Sequence, residues 1–309
     1  MKRNIIILCA VWLVLSNCTS LTKSQVDSVK KYAETAEKFS DYPGKLITEY
    51  IDLQYGVYLL TTPLNTDIDK APDAIKDRHA LINKCKSDAS AMDLSFRILK
   101  SYAANLKLLA TTDYALDFDT NVQSLIVNMD TLIGTFNSIT GKDLSKFGTL
   151  AYKAISFAGE KYIENERAIA IKAFVEKGNV LVCEMGKVAS YEIENKIKNS
   201  WLSGLDGQLK ANHLAIRKQI LKDTQNYTLN ISLIRQIDQD VIQLYDKIDY
   251  LNNLTVSLLK SIDNLCVAHT ALNQNIKEKK KLDDILTEVK GFYSNIQELV
   301  TIHNSLKTN

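Results

Sequence analysis

Apolar residues recur along most of this chain at alternating steps of three and four, the spacing that lines one face of a helix. The clearest run is Ile237, Val241, Leu244, Ile248, Leu251, Thr255, Leu258, Ile262, Leu265, His269, Leu272 and Ile276, and no Gly or Pro falls between Gly207 and Gly291. A seam this regular packs against partner helices as coiled-coil seams do. Unbroken from Leu209 to Ile276, such a helix would be about 100 Å long at 1.5 Å per residue. The seam loses phase around Lys277-Glu278-Lys279-Lys280-Lys281 and resumes at Leu282, Leu286, Val289, Tyr293, Ile296 and Val300. A stammer or a turn is expected there.

Earlier segments follow the same rule. Residues 25–39 read as a first helix, interrupted at Asp41-Tyr42-Pro43-Gly44, and residues 45–60 as a second. Two of the three prolines mark a loop over 62–72. Residues 73–111 form one amphipathic helix with the seam Cys85, Ala89, Met92, Phe96, Leu99, Ala103, Leu106 and Ala110. After a polar break at 111–119, Val122, Leu125, Met129, Leu132, Phe136 and Ile139 line the next helix. It stops at Thr140-Gly141-Lys142-Asp143, where Gly caps the end and Asp143 begins another helix.

Residues 144–175 differ in character. Gly148, Ala151, Ala154, Ala158 and Gly159 put small residues along one side, while 168–175 is apolar on more than one face, as in a helix central to a bundle. Gly178-Asn179 reads as a break, with a short extended piece over 180–183 and helix again to Asn199. Residues 203–207 are a turn. The expected fold is all-α: an elongated antiparallel helical bundle with long coiled-coil-like helices, occupying residues 25–309 as a single domain.

Composition sharpens this. Eleven Gly and three Pro among 309 residues leave few places to turn, which excludes an all-β fold. Lys2 and Arg3 account for the formal charge of +2, so the rest of the chain is neutral. Such a body lacks the basic face that nucleic acid demands. Cys85, Cys183 and Cys266 are widely spaced, with no CxxC or Cys/His ligand spacing. They permit one disulfide in an oxidising compartment, though small buried apolar residues is the reading preferred for all three.

Chemistry is sparse. HExxH, GxSxG, phosphate-binding glycine loops and the Glu-x-x-His pairs of di-iron bundles are absent from the sequence. His79, His213, His269 and His303 are scattered, and only His269 sits on a seam, where it reads as a register-fixing polar residue rather than a pH switch. Glu164 with Glu166 and Glu192 with Glu194 are two apart and diverge on a helix, so they make poor acid/base dyads. Asp283-Asp284 and the lysines of 277–281 read as solvated faces. Tyr50, Tyr55, Tyr58, Tyr102 and Tyr114 are candidate pocket aromatics. No catalytic constellation, metal site, cofactor site or small-molecule substrate is expected, and the chain is read as no enzyme.

The N terminus carries the one specific signal. Lys2 and Arg3 precede an unbroken apolar run over 5–15, closed by Leu15-Ser16-Asn17-Cys18 and polar Thr19-Ser20. A basic start, a short apolar core and a small-residue exit describe a secretory signal peptide, and the run is shorter than the roughly 20 residues a membrane span needs. With Cys18 at the exit, the segment resembles a bacterial lipoprotein signal of the signal peptidase II type; Asn17 is larger than the residue usual there. The resemblance implies cleavage after residue 17, acylation of Cys18 (palmitate among the chains) and a polar tether over 18–24. Thr19 after the cysteine points to the outer membrane rather than the inner.

Together these readings give an expected function: an outer-membrane-anchored lipoprotein facing the periplasm, a non-enzymatic helical scaffold or spacer with an envelope protein as partner. The alternative is a membrane-active protein resembling α-helical pore-forming toxins, with residues 147–182 as the insertion element.

Overall fold

The computed structural model describes residues 21–60, 71–111, 118–145, 147, 164–222, 227–278, 290–298 and 300–301. Among these the fold is all-α, and no strand occurs. The helices are α1 Lys23–Phe39, α2 Tyr42–Leu59, α3 Ala71–Asp88, α4 Ser90–Ala110, α5 Phe118–Thr140, α6 Glu164–Glu192, α7 Leu205–Lys222 and α8 Tyr227–Glu278. A π-helical stretch, Ile193–Leu202, continues α6, and residues 290–298 are helical.

Local chemistry explains the ends. Thr22 caps α1: its Oγ1 accepts from the Gln25 amide at 3.2 Å, and Gln25 Oε1 accepts from the Thr22 amide at 2.9 Å. This capping box fixes two amides that the helix leaves without partners. It also claims Lys23 and Ser24 for the helix, shortening the expected tether. The break expected at 41–44 is only Ser40-Asp41, because Pro43 sits in the first turn of α2, where its missing N–H costs nothing. α5 ends at Gly141, whose φ of 69° is the left-handed conformation glycine adopts freely.

The seams are buried largely as their spacing predicts. Leu251, Thr255, Leu258, Ile262, Leu265, His269, Leu272 and Ile276 are buried on α8, and Ala89, Met92, Phe96, Leu99, Ala103, Leu106 and Ala110 across α3 and α4. The 73–111 helix is two helices with a turn at Ala89. The amide of Ala89 still donates to Cys85 O and that of Asp93 to Ala89 O, both at 3.0 Å, so the seam keeps its phase.

Four expectations are corrected. Residues 180–183 are not extended, and Gly178-Asn179 does not break the chain: α6 runs through both. Nor is α6 apolar-packed all round, since Ile169, Ala173, Glu176 and Val180 form an exposed stripe. Among the described side chains of α5 the buried face is Met129, Ile133 and Phe136, with Ile139 half exposed, while the side chains of Val122 and Leu125 lie outside the described residues. The continuous 209–276 helix is two helices. His213 and Asp238 lie 2.6 Å apart, whereas residues 25 apart on one straight helix would stand about 37 Å apart. α7 and α8 therefore form an antiparallel hairpin. The 62–72 loop and the small-residue stripe from Gly148 to Gly159 lie outside the described residues, apart from Ala71 and Pro72, which open α3.

Contacts group the chain into two compact units. The first comprises residues 1–40, 97–186 and 263–294, the second 41–96, 187–262 and 295–309. In the first, α1, α4, α6, the end of α8 and the helical residues from 290 share a core of Val29, Tyr32, Phe39, Tyr102, Leu106, Ile171, Phe174, Leu272 and Phe292. In the second, α2 packs on α3 and α7, and α7 on the π-helical stretch. Tyr50 stacks on Trp201 with ring centroids 4.8 Å apart, and Lys247 pairs with Glu49 at 3.4 Å.

Candidate functional site

In the first unit a buried hydrogen-bond network centres on His269. It stands on the apolar seam of α8 and is fully buried. Tyr102 of α4 approaches from one side, its Oη 2.6 Å from His269 Nε2. Asn179 of α6 approaches from the other, its Oδ1 3.0 Å from Nδ1, and the same Oδ1 accepts from Thr270 Oγ1 at 3.1 Å. An oxygen that already accepts from Thr270 fixes the tautomer: Nδ1 carries the hydrogen and donates, and Nε2 accepts from the Tyr102 hydroxyl. Both ring nitrogens are thereby satisfied with the ring neutral.

Burial sets the charges here. It lowers the His269 pKa to about 3 and raises those of Tyr102 and Tyr32 well above the usual phenol value, so all three stay uncharged around neutrality. Tyr32 of α1 puts its ring edge-on to His269 at 5.1 Å and donates to the carbonyl of Leu265 at 3.3 Å. Tyr102 stacks nearly parallel on Phe174 at 5.0 Å. One position admits all this only as glycine: a Cβ on Gly178 would lie 2.3 Å from Tyr102 Oη.

One turn along α6 and α8 lies the disulfide Cys183–Cys266, with Cα atoms 4.9 Å apart. Cys183–Cys266, then Asn179 with Thr270, then Glu176 with Lys277 at 2.9 Å form successive rungs between antiparallel helices. Hydrogen bonding to Lys277 lowers the pKa of the exposed Glu176. The reading of all three cysteines as small apolar fillers is overturned for Cys183 and Cys266; among the described residues, Cys85 is the cysteine outside a disulfide. Sequence spacing could not reveal the pair, because 83 residues separate the partners.

Chemically, this cluster holds helices together. It has a satisfied imidazole, two neutral phenols and an oxidised sulfur pair, and none of these combines a free nucleophile with a base. Among the described residues no group of His, Cys, Asp and Glu could hold a metal ion.

The other predicted residues are dispersed. His213 is in the second unit, bonded to Asp238, whose two oxygens also accept from Arg217 at 3.2 Å. His79 is exposed on α3. Glu192 pairs with Lys196, while Glu194 points to solvent. Tyr50 is buried and Tyr55 exposed. Cys18, Tyr114, Asp283, Asp284, His303 and the side chains of Glu164 and Glu166 lie outside the described residues. Sequence reading missed Tyr102, Asn179 and Thr270 as a set; the polar His269 in an otherwise apolar seam was the signal that a partner had to face it.

Comparison with protein-family models, characterised proteins and solved structures finds no match to this chain.

Proposed function

We propose that the chain is a bacterial lipoprotein, held to the outer membrane through acylated Cys18 and facing the periplasm. There it acts as a non-enzymatic helical scaffold or spacer that binds a protein of the cell envelope. The observation that carries this reading is the segment 1–18: its basic start, short apolar run and closing Leu15-Ser16-Asn17-Cys18. Several buried acyl chains give stable membrane attachment.

The disulfide supports the compartment. Pairs such as Cys183–Cys266 form and persist outside the cytosol, in the periplasm among other places. The network around His269 supports the scaffold role, since its hydrogen bonds join α4, α6 and α8 to one another. α8 alone, at 52 residues, is about 78 Å long, which offers a partner an extended helical face.

Residues 147–182, the insertion element of the pore-forming alternative, carry Phe147, Phe174, Val175, Leu181 and Val182, all buried in the fold. Among the described residues no helix is long and apolar enough to cross a membrane. Core packing accounts for these side chains without an insertion step.

Affinity purification of the membrane-tethered form tests the function. A discrete envelope protein, recovered after cross-linking in cells, is the expected result. Recovery of none, together with turnover of an envelope metabolite by the purified chain, would replace the scaffold with an enzyme.

A further inference from the structure

The disulfide that joins α6 to α8 is within reach of solvent, since Cys183 and Cys266 are both only half-buried. It also touches the His269 network. Cys183 Sγ lies 4.0 Å from Thr270 Oγ1 and 4.0 Å from the carbonyl oxygen of Cys266. Thr270 Oγ1 donates to Asn179 Oδ1, which also accepts from His269 Nδ1, and Nε2 of the same ring accepts from Tyr102. A continuous polar run thus leads from a half-buried sulfur to a fully buried imidazole.

Thr270 is where that run responds to the sulfur. Its hydroxyl carries one hydrogen, which serves Asn179 or Cys183 but not both. While Cys183 is held in the disulfide, its sulfur competes poorly and Asn179 keeps the bond. Reduction alters both terms. The two sulfurs part from bonding distance to van der Waals contact, which presses Cys183 Sγ toward its neighbours. The freed sulfur is also the better acceptor, above all as a thiolate, and draws the hydroxyl away from Asn179. The helices themselves do not hang on the disulfide alone. Leu181, Val182 and Met185 of α6 and Leu265, Ala268 and Leu272 of α8 are buried, and Glu176 pairs with Lys277 at 2.9 Å. α6 and α8 therefore stay docked when the sulfur bond opens.

We propose that Cys183–Cys266 is a redox-sensitive clasp, opened in the folded chain by a dithiol reductant and read by His269 through Thr270 and Asn179. A thiolate of the reductant attacks one cysteine sulfur, forming a mixed disulfide as the Cys183–Cys266 bond breaks and the other cysteine leaves as a thiolate. The reductant's second thiolate then displaces the cysteine held in the mixed disulfide. Two electrons pass to the pair, the reductant departs as its own disulfide, and its two thiol protons end on Cys183 and Cys266. The open state loosens α6 from α8 around this turn and weakens the hold on the imidazole. None of this depends on acylation of Cys18.

Treating the full chain with dithiothreitol in the absence of denaturant tests it. Alkylation and mass spectrometry then find Cys183 and Cys266 modified while the helical circular dichroism is retained. Amides of 176–186 and 263–277 exchange about tenfold faster than in the oxidised chain. The side-chain nitrogen resonances of His269, assigned by their loss in His269→Gln, shift on reduction and return on reoxidation. Thr270→Val keeps the shape of the side chain and removes the donor. Its disulfide is reduced as readily, but the His269 resonances no longer respond. The Cys183→Ser/Cys266→Ser chain shows the shifted resonances without reductant. A disulfide that yields only at denaturant concentrations that unfold the chain overturns the proposal. So do His269 resonances that stay fixed on reduction, or that respond equally in Thr270→Val.

Discussion

Tyr102 Oη and His269 Nε2, 167 residues apart in sequence, lie 2.6 Å apart in the core of the first unit. The imidazole there has no charge to offer and no exit to solvent. Its work is to join α4 to α8 while Asn179 joins both to α6. Tyr102→Phe leaves Nε2 as a buried acceptor with no donor, and the loss is about 1–3 kcal/mol. Urea denaturation measures it; unchanged stability would mean the bond contributes nothing.

Acid should loosen the same core. The His269 pKa is about 3 in the fold against 6.5 when free. The unfolded chain therefore binds the proton first as pH falls. The stability tied to a neutral ring is complete above pH 6.5 and is lost progressively as pH drops toward 3, by on the order of a few kcal/mol. His269→Gln keeps one acceptor and one donor but never titrates. Its urea midpoint falls less steeply from pH 6.5 to pH 4 than that of the wild type, and parallel slopes would refute the assignment.

Gly178→Ala places a methyl 2.3 Å from Tyr102 Oη and 2.4 Å from its ring carbons. The ring cannot retreat, since Phe174 lies parallel to it and His269 holds its hydroxyl. A destabilisation of about 1–3 kcal/mol follows, visible as a lower midpoint with the helical circular dichroism retained.

Cys183–Cys266 closes a loop with a sequence separation of 83 residues. By the chain-entropy relation, such a closure contributes about 4.5 kcal/mol. The Cys183→Ser/Cys266→Ser chain melts well below the oxidised wild type, and a reductant moves only the wild type. Alkylation of the denatured, unreduced protein modifies Cys85 and spares the pair.

Much of the fold was legible because helical burial is periodic. Val241 through Ile276 and Ala89 through Ala110 could be read from three–four spacing, and Gly141 from turn chemistry. What escaped depended on partners distant in sequence. Val180, Leu181, Val182 and Cys183 look like a strand in isolation, but Gly178 is a packing glycine under Tyr102, and the helix continues through it. The hairpin between α7 and α8 was hidden for another reason: its link, Asp223-Thr224-Gln225-Asn226, has neither Gly nor Pro, only a polar cluster that also signals a turn. His269 stood out in its seam, but nothing in the chain named Tyr102 and Asn179 as its partners.

The most direct test of the anchored-scaffold account is metabolic labelling of cells with a radioactive or clickable palmitate, comparing wild type with Cys18→Ala. The account predicts label on the wild-type chain, recovered in the outer-membrane fraction, and none on the variant. Label on Cys18→Ala equal to wild type, or an unlabelled wild-type chain released from the membrane, would contradict it.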